Sequence, residues 1–380
     1  MSTSMTRRRA ALLAASAALA GGQARASQDT VTIGHVVPLT GALAEVGRFQ
    51  MNGAQLALDE VNAAGGALGR RVELVTEDSQ GSNPGAVLAF SRLAGRGDIA
   101  AFLGSLYSTQ THAMAPDILK AARPMVFGGT DPALTQMGNP WLFRCRPNDL
   151  YSARAMADFG VNTLGKRRWA IVHTTEAFGA AGMRALVAAL EKLGVTPALV
   201  QGFTAAASDL TPVALAVKQS GADLIAGYIV TPNDVALFAR QVRQVGVETP
   251  WIGSPSITAS TTLNLAGPAL FGTYGVTDFS AGSSPEAAAF ADRYAQRFGA
   301  TADPFSAWPY DGLRLLVRAI ETARSTEPEA VRKALLAIEG FKGAEGEYDF
   351  DANGDGLHGY NVVKNDAGKL TFIRHVEFRD

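Results

Sequence analysis

Short apolar runs rich in β-branched residues alternate with longer segments of helical period along most of this chain. That alternation confines the fold to parallel sheets wound with helices. Residues 31–37 (VTIGHVV) read as a buried strand. Residues 49–63 read as a helix, with Met51, Ala54, Leu58 and Val61 at spacings of three or four, and Gly65 and Gly66 stop it. Strands are predicted again at 72–76, 100–103, 124–127, 169–173, 199–203, 224–228 and 251–253. Helical patterns fall between them, as at 182–193, 213–219 and 235–245. Residues 31–130 and 168–255 each hold about four β-α units, the size of one doubly wound lobe. Residues 272–380 carry further strands and helices that belong to neither block, so this stretch must return to cover both. The expected fold class is α/β, with two doubly wound lobes joined by a hinge. A ligand cleft is expected at the carboxyl ends of the strands.

The N-terminus bears on where such a chain works. Arg7, Arg8 and Arg9 form a basic region, residues 10–20 an apolar stretch, and Ala24-Arg25-Ala26 an A-x-A cleavage site. The apolar stretch is too short for a hydrocarbon core of ~30 Å. Residues 1–26 read as a signal peptide cut before Ser27, taking either the general secretory or the twin-arginine route to a periplasm. The whole chain of 380 residues has 34 basic and 35 acidic residues. The segment removed carries Arg7, Arg8, Arg9 and Arg25 and no acid, so the mature protein is more acidic still. Nothing in that balance attracts nucleic acid or an anionic membrane surface. Cys145 is the only cysteine, so no internal disulfide forms and no lipid anchor follows the signal. Its surroundings, residues 141–146, look like a strand, which makes it a buried small hydrophobe.

Several stretches, in order, resemble one family. Residues 36–41 (VVPLTG), 53–57 (GAQLA) and 61–66 (VNAAGG) resemble the opening of the leucine/isoleucine/valine-binding proteins. Those are type I periplasmic solute-binding proteins of ABC importers. The likeness continues through 77–79 (EDS), Gly104-Ser105 with 108–110 (STQ), and 128–132 (GGTDP). It reaches Phe178-Gly179, 253–255 (GSP) and 310–312 (YDG), and so spans the mature chain. The resemblance implies the type I periplasmic binding protein fold, with lobes made of discontinuous segments. Lobe one would be 29–147 plus 279–352, and lobe two 148–278 plus 353–380. Three crossings, near Arg146, Thr277 and Asp351, would form the hinge.

Two turns are candidates for the ligand's carboxylate. Ser105, Leu106 and Tyr107 lie between a strand and a helix, where backbone N–H groups, a hydroxyl and the positive helix end converge. A plain β-α turn with a capping serine explains the same residues. Gly128, Gly129 and Thr130 let a ligand approach the backbone and add a hydroxyl, and the same stretch can open a helix at Asp131-Pro132. The resemblance implies that this second turn meets both the α-carboxylate and the ammonium of an amino acid. It also places Phe178 where an aromatic covers the ligand, Thr231 where the family has a tyrosine, and Pro255 where amino-acid binders carry a glutamate. A buried ammonium needs a carboxylate. Pro255 therefore puts the ammonium half of the site in doubt unless Asp234, Asp278 or Asp311 replaces it. An aromatic or short-chain acid becomes a rival to leucine or valine.

No catalytic constellation is present. The five histidines (His35, His112, His173, His358, His375) lack H-E-x-x-H spacing, and there is no G-x-S-x-G elbow, G-x-G-x-x-G or P-loop. His35 and His173 lie in apolar strands and read as satisfied core histidines. Residues 351–356 (DANGDG) resemble the start of a calcium loop, but Val362 stands where the bidentate glutamate belongs. Neither a metal nor a cofactor is expected. The function expected from the resemblance is capture of a small carboxylate-bearing ligand, amino acid or related organic acid, by a monomeric periplasmic protein that delivers it to an ABC permease. A ligand sensor of the same fold, passing closure to a signalling partner, is the alternative.

Overall fold

The computed structural model describes residues 30–378. The signal peptide read at 1–26 lies outside the described residues. The first sheet is built by β1 (Thr30–Val37), β2 (Arg71–Asp78), β3 (Ile99–Leu103), β4 (Met125–Phe127) and β5 (Leu142–Arg144). Between them run α1 (Ala44–Ala63), α2 (Asn83–Ala94), α3 (Ser108–Ala121) and the short α4 (Ala133–Gln136). The strands are all parallel, in the order β2-β1-β3-β4-β5. After α5 (Asp149–Asp158) comes a second sheet. Its members are β6 (Trp169–Thr174), β7 (Leu199–Phe203), β8 (Leu224–Tyr228), β9 (Trp251–Gly253) and β10 (Tyr274–Thr277). They are linked by α6 (Ala177–Lys192), α7 (Thr211–Ser220), α8 (Pro232–Gln244) and α9 (Ser260–Ala266). The predicted strands all form. The helices start earlier than their apolar periods suggest, because capping residues such as Glu176 and Thr231 set the first turn ahead of the periodic stretch.

The remaining chain serves both sheets. Helices α10 (Pro285–Phe298), α11 (Pro304–Ala323) and α12 (Pro328–Leu336) pack on the first sheet. The small hairpin of β11 (Phe341–Lys342) and β12 (Glu347–Tyr348) follows them. Then β13 (Gly359–Asp366) and β14 (Lys369–Glu377) add antiparallel edges to the second sheet, whose order is β14-β13-β10-β9-β8-β6-β7. Among the described residues the chain thus passes between the sheets after β5, after β10 and after β12.

Each sheet buries both faces, as strands of continuous apolar character require. In β1, Val31 and Ile33 face α1 and α11, while Val36 faces α2 and α3. In β6, Trp169 and Ile171 pack with Leu186 and Leu190 of α6, while Ala170 and Val172 meet Val213 and Phe238 of α7 and α8. Cys145 is fully buried, its thiol near Tyr348 Oη (3.2 Å) and the Trp308 carbonyl (3.3 Å). His173 bonds the Thr174 carbonyl at 2.9 Å. His35 departs from the satisfied role expected of it. It is fully buried with neither ring nitrogen partnered among the described residues, and burial pushes it down to about 4, so it stays neutral.

Gly53 sets how closely α1 and α11 approach. A Cβ there would lie 1.9 Å from the Ser306 carbonyl oxygen and 3.2 Å from Pro309 Cγ. Backbone cannot yield as a side-chain tip can, so Gly53→Ala should destabilise the protein by ~1–3 kcal/mol through overpacking. A urea midpoint equal to that of the wild type would show that the two helices can separate freely.

The crossings are laced by buried charge. Arg144 pairs with Asp355 (Nε–Oδ1 2.7 Å), and Asn148 Nδ2 donates to the other Asp355 oxygen at 2.9 Å. Arg146 pairs with Asp278. Tyr360 donates to the Pro147 carbonyl at 2.8 Å. The calcium-like stretch is one of these crossings. Asp351 Oδ1 accepts from the backbone N–H of Asn353 and of Asp355, both at 2.9 Å.

Candidate functional site between the sheets

In each sheet the strand order reverses beside one strand, β1 in the first and β6 in the second. Loops leaving the carboxyl ends of the strands at such a switch diverge to opposite faces and leave a crevice. A cleft of about 420 Å³, its open mouth included, lies where the two sets of loops meet. Lobe one contributes Leu106, Tyr107 and Ser108 after β3, Thr130 after β4, and Phe305 from α11. Lobe two contributes Glu176 and Phe178 after β6, Val230 after β8, and Pro255 and Ser256 after β9. Arg146 closes the floor from the first crossing.

The lobe-one wall is electropositive through its backbone. Tyr107 is the N-cap of α3 and offers no side-chain cap, so the amides of Ser108, Thr109 and Gln110 have no intrahelical acceptor. Arg146 adds a guanidinium. Burial works against its charge, but the Asp278 carboxylate beside it overcomes that and raises its pKa. Most of that charge is already matched by Asp278.

The lobe-two wall carries the carboxylate. Glu176 is the N-cap of α6, where the helix dipole favours a negative charge. Its Oε1 accepts from Thr174 Oγ1 (2.7 Å) and Gly179 N (2.9 Å), and its Oε2 from Phe178 N (2.7 Å). One lone pair of Oε2 is left for the cleft. Phe178 stands edge-on to Tyr228, ring centroids 5.9 Å apart, and is thereby held as an apolar cover.

The residues singled out in the sequence divide into two groups. Leu106, Tyr107, Thr130, Phe178 and Pro255 line the cleft; Ser105, Gly128, Gly129 and Thr231 stand behind it. Ser105 Oγ donates to Gln110 Oε1 at 2.7 Å and accepts from Tyr107 N at 3.1 Å, so it shapes the turn. Gly128 admits Trp308, whose ring would lie 2.9 Å from a Cβ there. The Gly129 carbonyl accepts from Arg144 Nη1 at 2.8 Å. Thr231 caps α8, its hydroxyl accepting from Asp234 N and donating to Asp234 Oδ2 (2.7 Å). The three acids named as replacements at Pro255 do not line the cleft. Asp234 holds the N–H groups of Ala206 and Ala207, Asp278 holds Arg146, and Asp311 holds the N–H groups of Ala344 and Glu345. Glu176 was legible as a possible anion, two residues before Phe178, but its type and place suit an ordinary helix cap equally.

Comparison with known proteins agrees with this architecture. Residues 30–369 match the periplasmic binding protein family. A Leu/Ile/Val-binding protein of Rhizobium johnstonii is 28% identical over 90% of this chain and 93% of its own length. A Leu/Ile/Val-binding protein homologue of Brucella melitensis is 27% identical over 92% and 95%. The solved leucine-binding protein of Thermotoga maritima superposes with a TM-score of 0.85 at 26% identity, covering 91% of this chain and 99% of that one. The two switch-point sheets, the cleft between them and the match along the chain agree: this chain belongs to the periplasmic binding protein family.

Proposed function

We propose that the protein is the substrate-binding component of an ABC importer and that it captures an aliphatic α-amino acid between its lobes. The observation that carries this reading is the pairing of opposite walls. Unfilled N–H groups of α3 on lobe one suit a carboxylate, and Glu176 on lobe two suits an ammonium. Leu106, Phe178, Val230 and Phe305 supply an apolar side-chain pocket between them. Glu176 takes over the charge missing at Pro255, so a zwitterion is favoured over a plain organic acid. The relatives named for leucine, isoleucine and valine binding support the same class.

Closure follows from this division of contacts. A ligand held first by lobe one gains Glu176 and Phe178 only when the lobes meet, and that differential shifts the equilibrium. In the structure the lobes already touch beside the cleft, where Ser260 N donates to Asp303 Oδ2 at 3.1 Å. The hinge is formed by the crossings near Arg146, Thr277 and Asp351. The closed face is what an inner-membrane permease reads, after export of the mature, monomeric protein.

The test is a thermal-shift screen of ligand-stripped protein with leucine, isoleucine, valine, 4-methylpentanoate and benzoate. Ligand at 100 times its Kd adds ~2.7 kcal/mol of stability. The amino acids should raise the melting temperature. Shifts confined to the acids that lack an amino group would overturn the reading.

A further inference from the structure

We propose that Asp149, which lies behind the cleft wall, is a positioning residue that selects an ammonium-bearing ligand by fixing which way the Thr130 hydroxyl points. The inference rests on the amino-acid reading above and concerns how lobe one contributes to it.

A threonine hydroxyl has one hydrogen to give and two lone pairs to receive. Thr130 lines the cleft, and its Oγ1 donates that hydrogen to Asp149 Oδ2 at 2.8 Å. Asp149 N in turn donates to the Thr130 carbonyl at 2.9 Å, so two bonds lock the pair. Toward the cleft the hydroxyl can then only accept. It can meet an ammonium, but not a carboxylate oxygen. The carboxylate contact expected of this hydroxyl from the sequence would need the hydrogen that Asp149 holds.

Asp149 cannot turn away to release Thr130. It sits in the first turn of α5 and is fully buried, and its Oδ1 accepts from Ser152 Oγ at 3.1 Å. Ser152 Oγ is bonded to Tyr228 Oη at 2.7 Å, so the chain of bonds runs from the lobe-one wall into lobe two. The charged and titratable groups that face Asp149 are Arg144 and Arg146 from the first crossing, Tyr228 from β8 and Tyr360 from β13. Burial pushes Asp149 up to about 7, with the bonds from Thr130 and Ser152 and the two arginines opposing. When Asp149 takes up a proton it has a hydrogen of its own to give. Thr130 can then accept it and turn its hydrogen to the cleft, exchanging an acceptor for a donor. Affinity for an amino acid is therefore highest with Asp149 ionised and falls as pH drops through about 7.

Calorimetric titration of the full chain with leucine and with 4-methylpentanoate, which has the same skeleton without the ammonium, tests this. Asp149→Ala should reduce the preference for leucine over the acid at least tenfold, and Thr130→Val should do the same. The double variant should lose no more than either alone. Asp149→Asn keeps an oxygen toward Thr130 but cannot titrate, so it should bind leucine with an affinity independent of pH between 6 and 8. His112 pairs with Asp131 at 2.8 Å beside Thr130, and His112→Gln should keep the wild-type pH step. Equal weakening of both ligands in Asp149→Ala would make its role structural and overturn the proposal. So would a flat wild-type pH profile, which needs no variant to fold. If leucine binds and Asp149→Ala leaves the preference intact, the inference alone falls. If 4-methylpentanoate binds the wild type and leucine does not, the amino-acid reading falls and takes the inference with it.

Discussion

Arg146→Met should destabilise the protein by ~3–5 kcal/mol, the usual cost of removing one member of a buried ion pair. Asp278 is fully buried, and its Oδ1 has no partner among the described residues. Arg146 is its ion-pair partner and also donates to the Gly128 carbonyl at 3.2 Å. Glu345 lies close by, its carboxyl pushed well up by burial and then by the Asp278 charge, with Arg146 opposing. Without the arginine, two buried acids face each other with no cation between them. The variant should therefore take up protons on folding. The Glu345 carboxyl stands well above its ordinary value even with Arg146 opposing, and higher still without it, so the variant's stability is greatest in acid and is lost as pH rises. Denaturant midpoints across pH 5 to 8 would show this slope. Adding Asp278→Asn should recover much of the loss at neutral pH by removing the stranded charge. Full stability in the single variant would mean that water reaches the crossings, contrary to their burial.

Glu176→Gln should weaken leucine binding by ~1.5–3 kcal/mol, the range for a hydrogen bond to a charged group. The carboxylate lines the cleft, and its Oε2 has a lone pair unspent by the cap. Glutamine keeps the size and one acceptor but removes the charge that meets an ammonium. The same change should leave 4-methylpentanoate binding unchanged or tighter, since that ligand brings no ammonium. A loss of the α6 cap adds ~1 kcal/mol of destabilisation, so affinity must be read by calorimetry rather than by melting alone. Equal affinity for leucine would move the ammonium elsewhere in the cleft.

The parallel strands were plainly legible in the sequence because each is a short apolar run buried on both faces, as in β1, β3, β6 and β8. The edge strands β13 and β14 were not resolved from their surroundings. In β14 every second residue is exposed, so its apolar signal is halved. At the candidate site, Thr130 and Phe178 were singled out because strand-end loops are where ligands meet parallel sheets, and both line the cleft. Ser105 and Thr231 looked equally suited, and their hydroxyls turn inward to Gln110 and Asp234. Sequence gives the hydroxyl but not its direction. Phe305 reaches the cleft only through the packing of a distant segment, which no local pattern announces.

The interleaved path of the chain also governs how the molecule can be made. One face of the first sheet is covered only in part, by α1, until α11, residues 304–323, arrives beside it. The second sheet lacks its antiparallel edge until residues 359–377 arrive. Neither half can be finished as it emerges from a ribosome or a translocation pore, because both wait for the same late stretch. Completion is thus deferred and nearly simultaneous, and contacts of such long sequence separation slow the search for them. On the general secretory route, one of the two expected from the N-terminal sequence, such a delay would give a chain of this design time to cross a membrane before it becomes too compact to pass. The cost is a longer interval in which half-covered sheets are open to chaperones, proteases and each other.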